Sequence, residues 1–155
     1  MLTFKSATGQ WGPATTAGGA GVLVASSLAK LTPVNNSFCT LTICNNATTE
    51  GFAQVYFPRA ATFSTLYARA SIAPGASSSI TVTLKTCTPS ASTGICAGVA
   101  TTLTCTISGA TGAGSHNCQD VAHSVSVKAG DLVDWTITTT GTPASTALNI
   151  AAEIQ

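Results

Sequence analysis

Residues 103–120 read LTCTISGATGAGSHNCQD, and this stretch places two cysteines, a histidine and an aspartate in one short segment. Its first half sets Leu103, Cys105 and Ile107 at alternate positions, the period of two that is typical of a strand with one buried face. The glycines that follow indicate a loop, and Cys118 lies beyond it. The stretch therefore predicts two strands joined by a disulfide, unless its polar residues form a metal or catalytic site.

The same alternation recurs along most of the chain, and turn signals separate the segments at APGAS, SGATGAGS, KAGD and TGTPAS. No amphipathic helical pattern lasts long enough to compete. The candidate strands are GVLVASSLAK, SFCTLTICN, FAQVYF, FSTLYARAS, SSITVTLKTC, TTLTCTIS, HSVSVKA, DLVDWTITTT and TALNIAAEIQ. Short strands at even spacing predict an all-β fold, an antiparallel β-sandwich or jelly roll of about eight strands over residues 21–155.

The amino-acid composition argues against some classes of binding partner. The 155 residues suggest one domain, and 45% are hydrophobic, which argues against disorder. Only 7% are charged, the net charge is +1, and the six basic residues are scattered, so clustered cations for nucleic-acid binding are not expected. A net charge near zero gives little protection against self-association, which a protein of an assembly tolerates.

Neither a membrane span nor an export signal is predicted. The apolar run Val22–Ala25 is far shorter than the roughly 20 residues that cross a bilayer. The start, MLTFKSATGQWGP, lacks a basic region followed by an apolar one. The sequence thus predicts synthesis in the cytoplasm, where six cysteines would stay reduced until the protein meets an oxidising environment.

Residues 1–20 differ from the rest, being rich in Gly and Thr with Phe4 and Trp11 as isolated aromatics. They fit either a flexible terminus or an extended arm that orders against a partner, with Phe4 and Trp11 filling pockets. We keep both interpretations at this point.

The cysteines fall into neighbouring pairs that bracket turn-rich stretches. Spacing favours Cys87 with Cys96 and Cys105 with Cys118, and bridges across such loops are worth up to about 3 kcal/mol each. Cys39 and Cys44 would lie on opposite faces of one straight strand, so they can bond only if a turn or bulge intervenes.

Rival sites in the opening stretch have weaker support. A zinc site would need Cys105, His116, Cys118 and His123, without a CxxC motif, and a triad of Ser115, His116 and Asp120 would crowd one loop. Paired carboxylates for glycoside hydrolysis would have to come from Glu50, Asp120, Asp131, Asp134 and Glu153. We predict no catalytic residue, no metal and no cofactor.

Residues 63–143 carry a family resemblance. A "LY" strand, an "APG" turn, a "TVTL" strand, "LTCTI" with a second cysteine downstream and "SVSVKAGD" before a long strand resemble a jelly-roll module that recurs in tailed-phage virion proteins. The resemblance implies a β-sandwich on a virion surface, trimeric and without chemistry. The insertion between Cys87 and Cys96 departs from it at the tip.

A single domain with a short arm suits a capsid decoration protein, with itself (as a homotrimer) and the major capsid protein as partners. The alternative is a tail or head fibre knob that binds a host receptor or a surface glycan. A carbohydrate-binding module is a third class, and its exposed aromatics would have to come from Trp11, Trp135, Tyr56 and Tyr67. Trp135 alternates with core positions, so we predict that it is buried.

Overall fold

The computed structural model of the chain describes residues 2–5, 10–13, 22–109 and 114–155, and for residues 2–5, 10–13, 22–31 and 45–46 it describes the backbone. Within these ranges the chain is all-β, with one 3-10 turn at Glu50–Phe52. The strands in chain order are β1 (Leu2–Lys5), β2 (Gln10–Pro13), β3 (Val22–Leu31), β4 (Ser37–Cys39), β5 (Ile43–Ala47), β6 (Val55–Tyr56), β7 (Ala61–Ala70), β8 (Ser79–Cys87), β9 (Val99–Ser108), β10 (Asn117–Val127), β11 (Leu132–Thr140) and β12 (Thr146–Ile154).

Eight of the strands form two layers. The first has the order β10–β7–β12–β3 and the second the order β4–β11–β8–β9, and all pairings within each layer are antiparallel. β5 links the layers by pairing parallel to β3 and antiparallel to β4. Consecutive strands of the two layers lie in opposite layers except for β8 and β9, which are neighbours in the second layer, and this connectivity is that of a jelly roll. The predicted antiparallel jelly-roll sandwich of about eight strands is confirmed.

The core lies between the layers and consists of the alternate positions of each strand. Phe63 on β7 and Trp135 on β11 meet edge to face across it, with ring centroids 6.5 Å apart. The predicted inward faces of β8, β9 and β11 are confirmed: Ile80, Val82, Leu84, Leu103, Cys105, Ile107, Val133, Trp135 and Ile137 are all buried. Burial of this apolar surface is the dominant stabilising term of the fold.

The outward face of the second layer explains the threonine content. Thr138, Thr81 and Thr106 form one row across β11, β8 and β9, and Thr136, Thr83 and Thr104 form the next. Hydroxyls bond across the strands at 2.8 Å between Thr81 and Thr106 and at 2.7 Å between Thr83 and Thr104. Threonine favours strands because its branched Cβ fits the pleat, and such cross-strand pairs add stability.

SFCTLTICN does not form the single strand that the alternation predicts. It folds into β4 and β5 around a turn in which the Thr40 hydroxyl accepts from the amide of Ile43 at 2.8 Å. The turn brings Cys39 opposite Cys44 in the ladder. The condition for a Cys39–Cys44 bridge is therefore met, and the structure joins these two cysteines.

The segment FAQVYF also differs from its prediction as a strand. Phe52 ends the 3-10 turn, and only Val55 and Tyr56 pair with another strand, β11. Gly51 precedes this segment and the polar Gln54 interrupts it, so the run of alternating apolar residues is too short to form a strand of either layer. Among the described residues, no helix is long and apolar enough to cross a membrane.

At the N-terminus, β1 and β2 pair with each other as a separate two-stranded sheet. Phe4 stands opposite Trp11 in its register. The predicted arm thus contains a hairpin. The other residues of the arm, which are 1, 6–9 and 14–20, lie outside the described residues, as does residue 21. The domain boundary at residue 21 stays a prediction.

Candidate functional site

The disulfide within residues 103–120 joins the two layers on the side of the sandwich that is opposite β5. Cys105 on β9 is bonded to Cys118 on β10, with Cα atoms 5.6 Å apart. β9 pairs with β8 and β10 with β7, so the two strands are the outer strands of opposite layers and not the arms of one hairpin. β9 ends in the second layer at Ser108, and β10 begins in the first layer at Asn117. Residues 110–113 lie outside the described residues.

Asp120 forms a second contact between these outer strands. Its carboxylate accepts from the amide of Thr104 on β9 at 3.1 Å, from the amide of Ala122 at 3.1 Å and from the ring Nδ1 of His123 at 2.9 Å. The pairing of β10 with β7 shifts register between Asp120 and Ser124, the segment that contains the Ala122 and His123 donors. Burial alone would raise the pKa of Asp120, but the amide of Thr104, the ring of His123 and the amides of Ala122 and His123 outweigh it and lower the pKa.

The rival metal and triad residues of this stretch have other bonds. The thiols of Cys105 and Cys118 are consumed by the disulfide, so neither is available as a zinc ligand. His116 Nδ1 lies 3.2 Å from the carbonyl oxygen of Ala70, and the Ser115 hydroxyl donates to the carbonyl of Asn117. Within residues 22–109 and 114–155, and the two short N-terminal strands, no group of three or more His, Cys, Asp or Glu is placed to hold a metal ion.

The third disulfide joins Cys87 to Cys96 and closes the tip loop between β8 and β9. All three bridges are the pairs that the spacing of the cysteines favours. Gln54 packs on this loop, because its Nε2 donates to the carbonyl of Cys96 at 2.8 Å. The tip is thereby attached to the segment that carries the 3-10 turn.

Sequence reasoning did not find a partly buried charged cluster on the outward side of β8 and β11, next to this tip. We call Glu50, Lys85 and Asp134 the Lys85 cluster. Lys85 Nζ lies 2.6 Å from Glu50 Oε1, and the same oxygen accepts from the amide of Gly98 at 3.0 Å. Lys85 and Asp134 are opposite each other in the ladder. A methyl group on Gly98 would collide with the Glu50 carboxylate, so the Glu50 side chain would have to shift to admit a larger residue there.

Asp134 is the unusual member of the Lys85 cluster. Its side chain is fully buried, and neither carboxylate oxygen has a hydrogen-bond partner among the described residues. Burial raises the pKa of Asp134 to about 7, and the Glu50 charge adds to this rise while the Lys85 charge opposes it. The available signal was the aspartate inside the apolar run Leu132–Ile137.

Asp131 lies at the turn from β10 to β11 and differs from Asp134 because its carboxylate accepts hydrogen bonds. The Thr88 hydroxyl donates to it at 2.6 Å and the Lys128 amide donates at 2.9 Å. These two bonds, with a smaller contribution from the Lys128 charge, outweigh burial and lower the pKa of Asp131. The turn itself requires a positive φ at Gly130, at +94°. Asp131 therefore serves the backbone of this turn, as its position in KAGD indicates.

The aromatic candidates for a sugar platform divide into buried and exposed ones. Trp135 is fully buried, as predicted. Tyr56 is 61% exposed and Tyr67 is 46% exposed, so both are accessible from solvent. Phe52, which sequence reasoning did not consider, is 83% exposed. Trp11 belongs to the N-terminal hairpin, where the structure describes the backbone.

Tyr67 lies on the outward face of the first layer, among polar residues. On β7, Leu66 and Ala68 face the core while Tyr67 and Arg69 face outward. Arg69 stands between Asn117 and Asn149 in the ladder, and Tyr67 stands between Gln119 and Ala151. We call these six residues the Arg69 face.

The comparisons with known proteins assign no family to the chain. No family model matches the chain, and neither does any curated protein. Among solved structures the chain is similar to Eiger TNF from S. frugiperda, at 14% identity, with 64% of this chain and 63% of that chain covered and a TM-score of 0.32. The aligned part is therefore less than two thirds of that chain. What the described residues define is a disulfide-bonded jelly-roll sandwich.

Proposed function

We propose that the chain is a non-enzymatic surface protein of a phage virion and that it decorates the capsid. The observation that carries this proposal is the N-terminal hairpin, whose strands pair with each other and not with the sandwich. An isolated two-stranded hairpin is at best marginally stable in water, so β1 and β2 need a further surface to stay ordered. A capsid lattice supplies such a surface.

The position of the family resemblance supports the same proposal. Residues 63–143 cover β7 to β11, which include strands of both layers. The resemblance to the phage module therefore extends over a contiguous half of the jelly roll and not over one loop. On this proposal the three disulfides form by oxidation after host lysis.

Self-association as a homotrimer is part of the proposal. The outward threonine rows of the second layer carry no charge, and their hydroxyls already bond to one another. Covering such a face costs less desolvation than covering charged groups. A specific contact between copies is expected to bury at least about 1,200 Å².

Removal of residues 1–20 tests the proposed attachment. We expect the truncated protein to stay folded, because β3 to β12 and the three disulfides remain. It should nevertheless fail to sediment with particles that lack the protein, whereas the full chain sediments with them. Circular dichroism of the truncated domain controls for folding. Full occupancy of particles by the truncated protein would refute the role of the arm.

The substitution of Phe4 and Trp11 by alanine is the finer version of the same test. These two residues are opposite each other in the hairpin register, so the double variant removes both aromatics of the arm at once. We expect attachment to weaken by a large factor without a change in the stability of the sandwich.

A fibre knob that binds a host receptor or glycan is the second candidate. The exposure of Tyr56 and Tyr67 favours it, since aromatic rings at a surface are the common platform for ligands with apolar faces. Labelling of particles with an antibody against the chain separates the two candidates, because a knob would be found on fibres or at the tail tip.

A further inference from the structure

We propose that the Arg69 face binds an acidic saccharide, a sugar that carries a carboxylate. This inference goes beyond the proposed decoration role and does not depend on where the protein sits on the particle. It concerns a site on the outside of β10, β7 and β12, away from the Lys85 cluster and from the threonine rows.

The first argument is the placement of the six residues. Asn117, Arg69 and Asn149 form one row across three adjacent strands, and Gln119, Tyr67 and Ala151 form the next. Every one of them except the half-exposed Ala151 is exposed. Adjacent strands are about 4.8 Å apart and successive outward positions about 6.8 Å apart, so the two rows cover roughly 10 by 7 Å, comparable to a small oligosaccharide.

The second argument is the chemistry that these side chains share. Amides of Asn and Gln both donate and accept hydrogen bonds, which suits the hydroxyls of a sugar. The Tyr67 ring offers an apolar surface for the C–H face of a pyranose, and its phenol adds a polar group at the edge. Ala151 is small, so the side of Tyr67 toward β12 is not covered by a long side chain.

The third argument is the charge of Arg69, which selects among sugars. The five carboxylates of the sequence are Glu50, Asp120, Asp131, Asp134 and Glu153. The first four are engaged or buried elsewhere, as described above. Glu153 is on β12, four positions beyond Asn149, and forms no ion pair with Arg69 among the described contacts.

The exposed guanidinium of Arg69 therefore lies between two neutral amides, and no carboxylate of the Arg69 face balances its charge. Arginine binds a planar carboxylate through two parallel hydrogen bonds, which fixes orientation as well as affinity. The row Asn117–Arg69–Asn149 thus fits a ligand that presents a carboxylate flanked by hydroxyls. Acidic sugars have that arrangement, whereas neutral sugars leave Arg69 unpaired.

Matched pairs of sugars and variants test the proposal. The probes are trigalacturonic acid against its methyl ester, and 3′-sialyllactose against lactose, titrated into the full-length isotope-labelled protein and followed by NMR. We expect the acidic member of at least one pair to shift the amide signals of residues on β7 and β10, and to bind about tenfold more tightly than its neutral partner.

Arg69→Gln should abolish that preference for the acid, and Tyr67→Ala should weaken acidic and neutral members alike. Arg59→Gln is the control, since it makes the same chemical change at an exposed position outside the face. Equal binding of acid and ester, an unchanged preference in Arg69→Gln, or no binding of any probe at millimolar concentration would each overturn the proposal. None of these outcomes bears on attachment to particles, so the decoration role is tested separately.

Discussion

Replacing Cys105 and Cys118 together with alanine is expected to lower the free energy of unfolding by about 3 kcal/mol. The bridge closes a sequence separation of 13 residues, and its loss releases the unfolded chain from that constraint. In a domain of this size the change corresponds to a fall in melting temperature of about 6–12 °C. Urea denaturation of the oxidised proteins, followed by the fluorescence of buried Trp135, measures it.

The matched control replaces Cys87 and Cys96, which close a separation of nine residues in the tip loop. Loop entropy alone would make the two losses nearly equal, at about 3 kcal/mol each. We expect the Cys105–Cys118 variant to lose more, since its bridge also holds the outer strands of the two layers together and Cys105 is buried. A smaller loss than in the control would contradict this role.

Asp134→Asn is expected to stabilise the protein at alkaline pH. The pKa of Asp134 is raised to about 7 in the folded state, from 3.8 for an ordinary aspartate. The folded state therefore holds a proton that the unfolded state has released, and stability falls as pH rises from about 4 to about 7. Asparagine has a similar shape and carries no charge, so its advantage should be near zero below about pH 4 and reach on the order of 2–4 kcal/mol above about pH 7.

Asp131→Asn is the control with the opposite sign. The pKa of Asp131 is lowered by the Thr88 hydroxyl and the Lys128 amide, so its carboxylate stabilises the fold above the unfolded value of 3.8. This contribution is lost as pH falls through the folded pKa, and the variant should therefore be less stable than the parent at neutral pH. Denaturation of the parent and of both variants at several pH values measures how each difference in the free energy of unfolding changes with pH. A stability difference for Asp134→Asn that does not change with pH would contradict the assignment.

The sequence predicts the inward faces of β8, β9 and β11 because those strands are regular and one face is fully buried. Period two is then sufficient, and the burial of Ile80, Leu103 and Trp135 follows from it. The pairing of Cys105 with Cys118 was accessible for a different reason: the two cysteines are close in the sequence and bracket a turn-rich stretch.

Other features depend on contacts that no local pattern encodes. The turn at Thr40 contains neither glycine nor proline, and a hydroxyl that accepts from the Ile43 amide replaces the usual turn residues, so the alternation appeared to continue through it. The meeting of Glu50 with Lys85 and Asp134 joins residues that are far apart in the chain. The Arg69 face requires the register of three strands, which alternation alone does not fix.

An electron cryomicroscopy map of the intact phage particle tests the proposal that the chain is a capsid decoration protein. We expect density for the jelly roll at repeated positions on the outer capsid surface, in groups of three, with the β1–β2 hairpin against the capsid protein. Density for the chain at the tail tip or on fibres, with none on the capsid lattice, would contradict it.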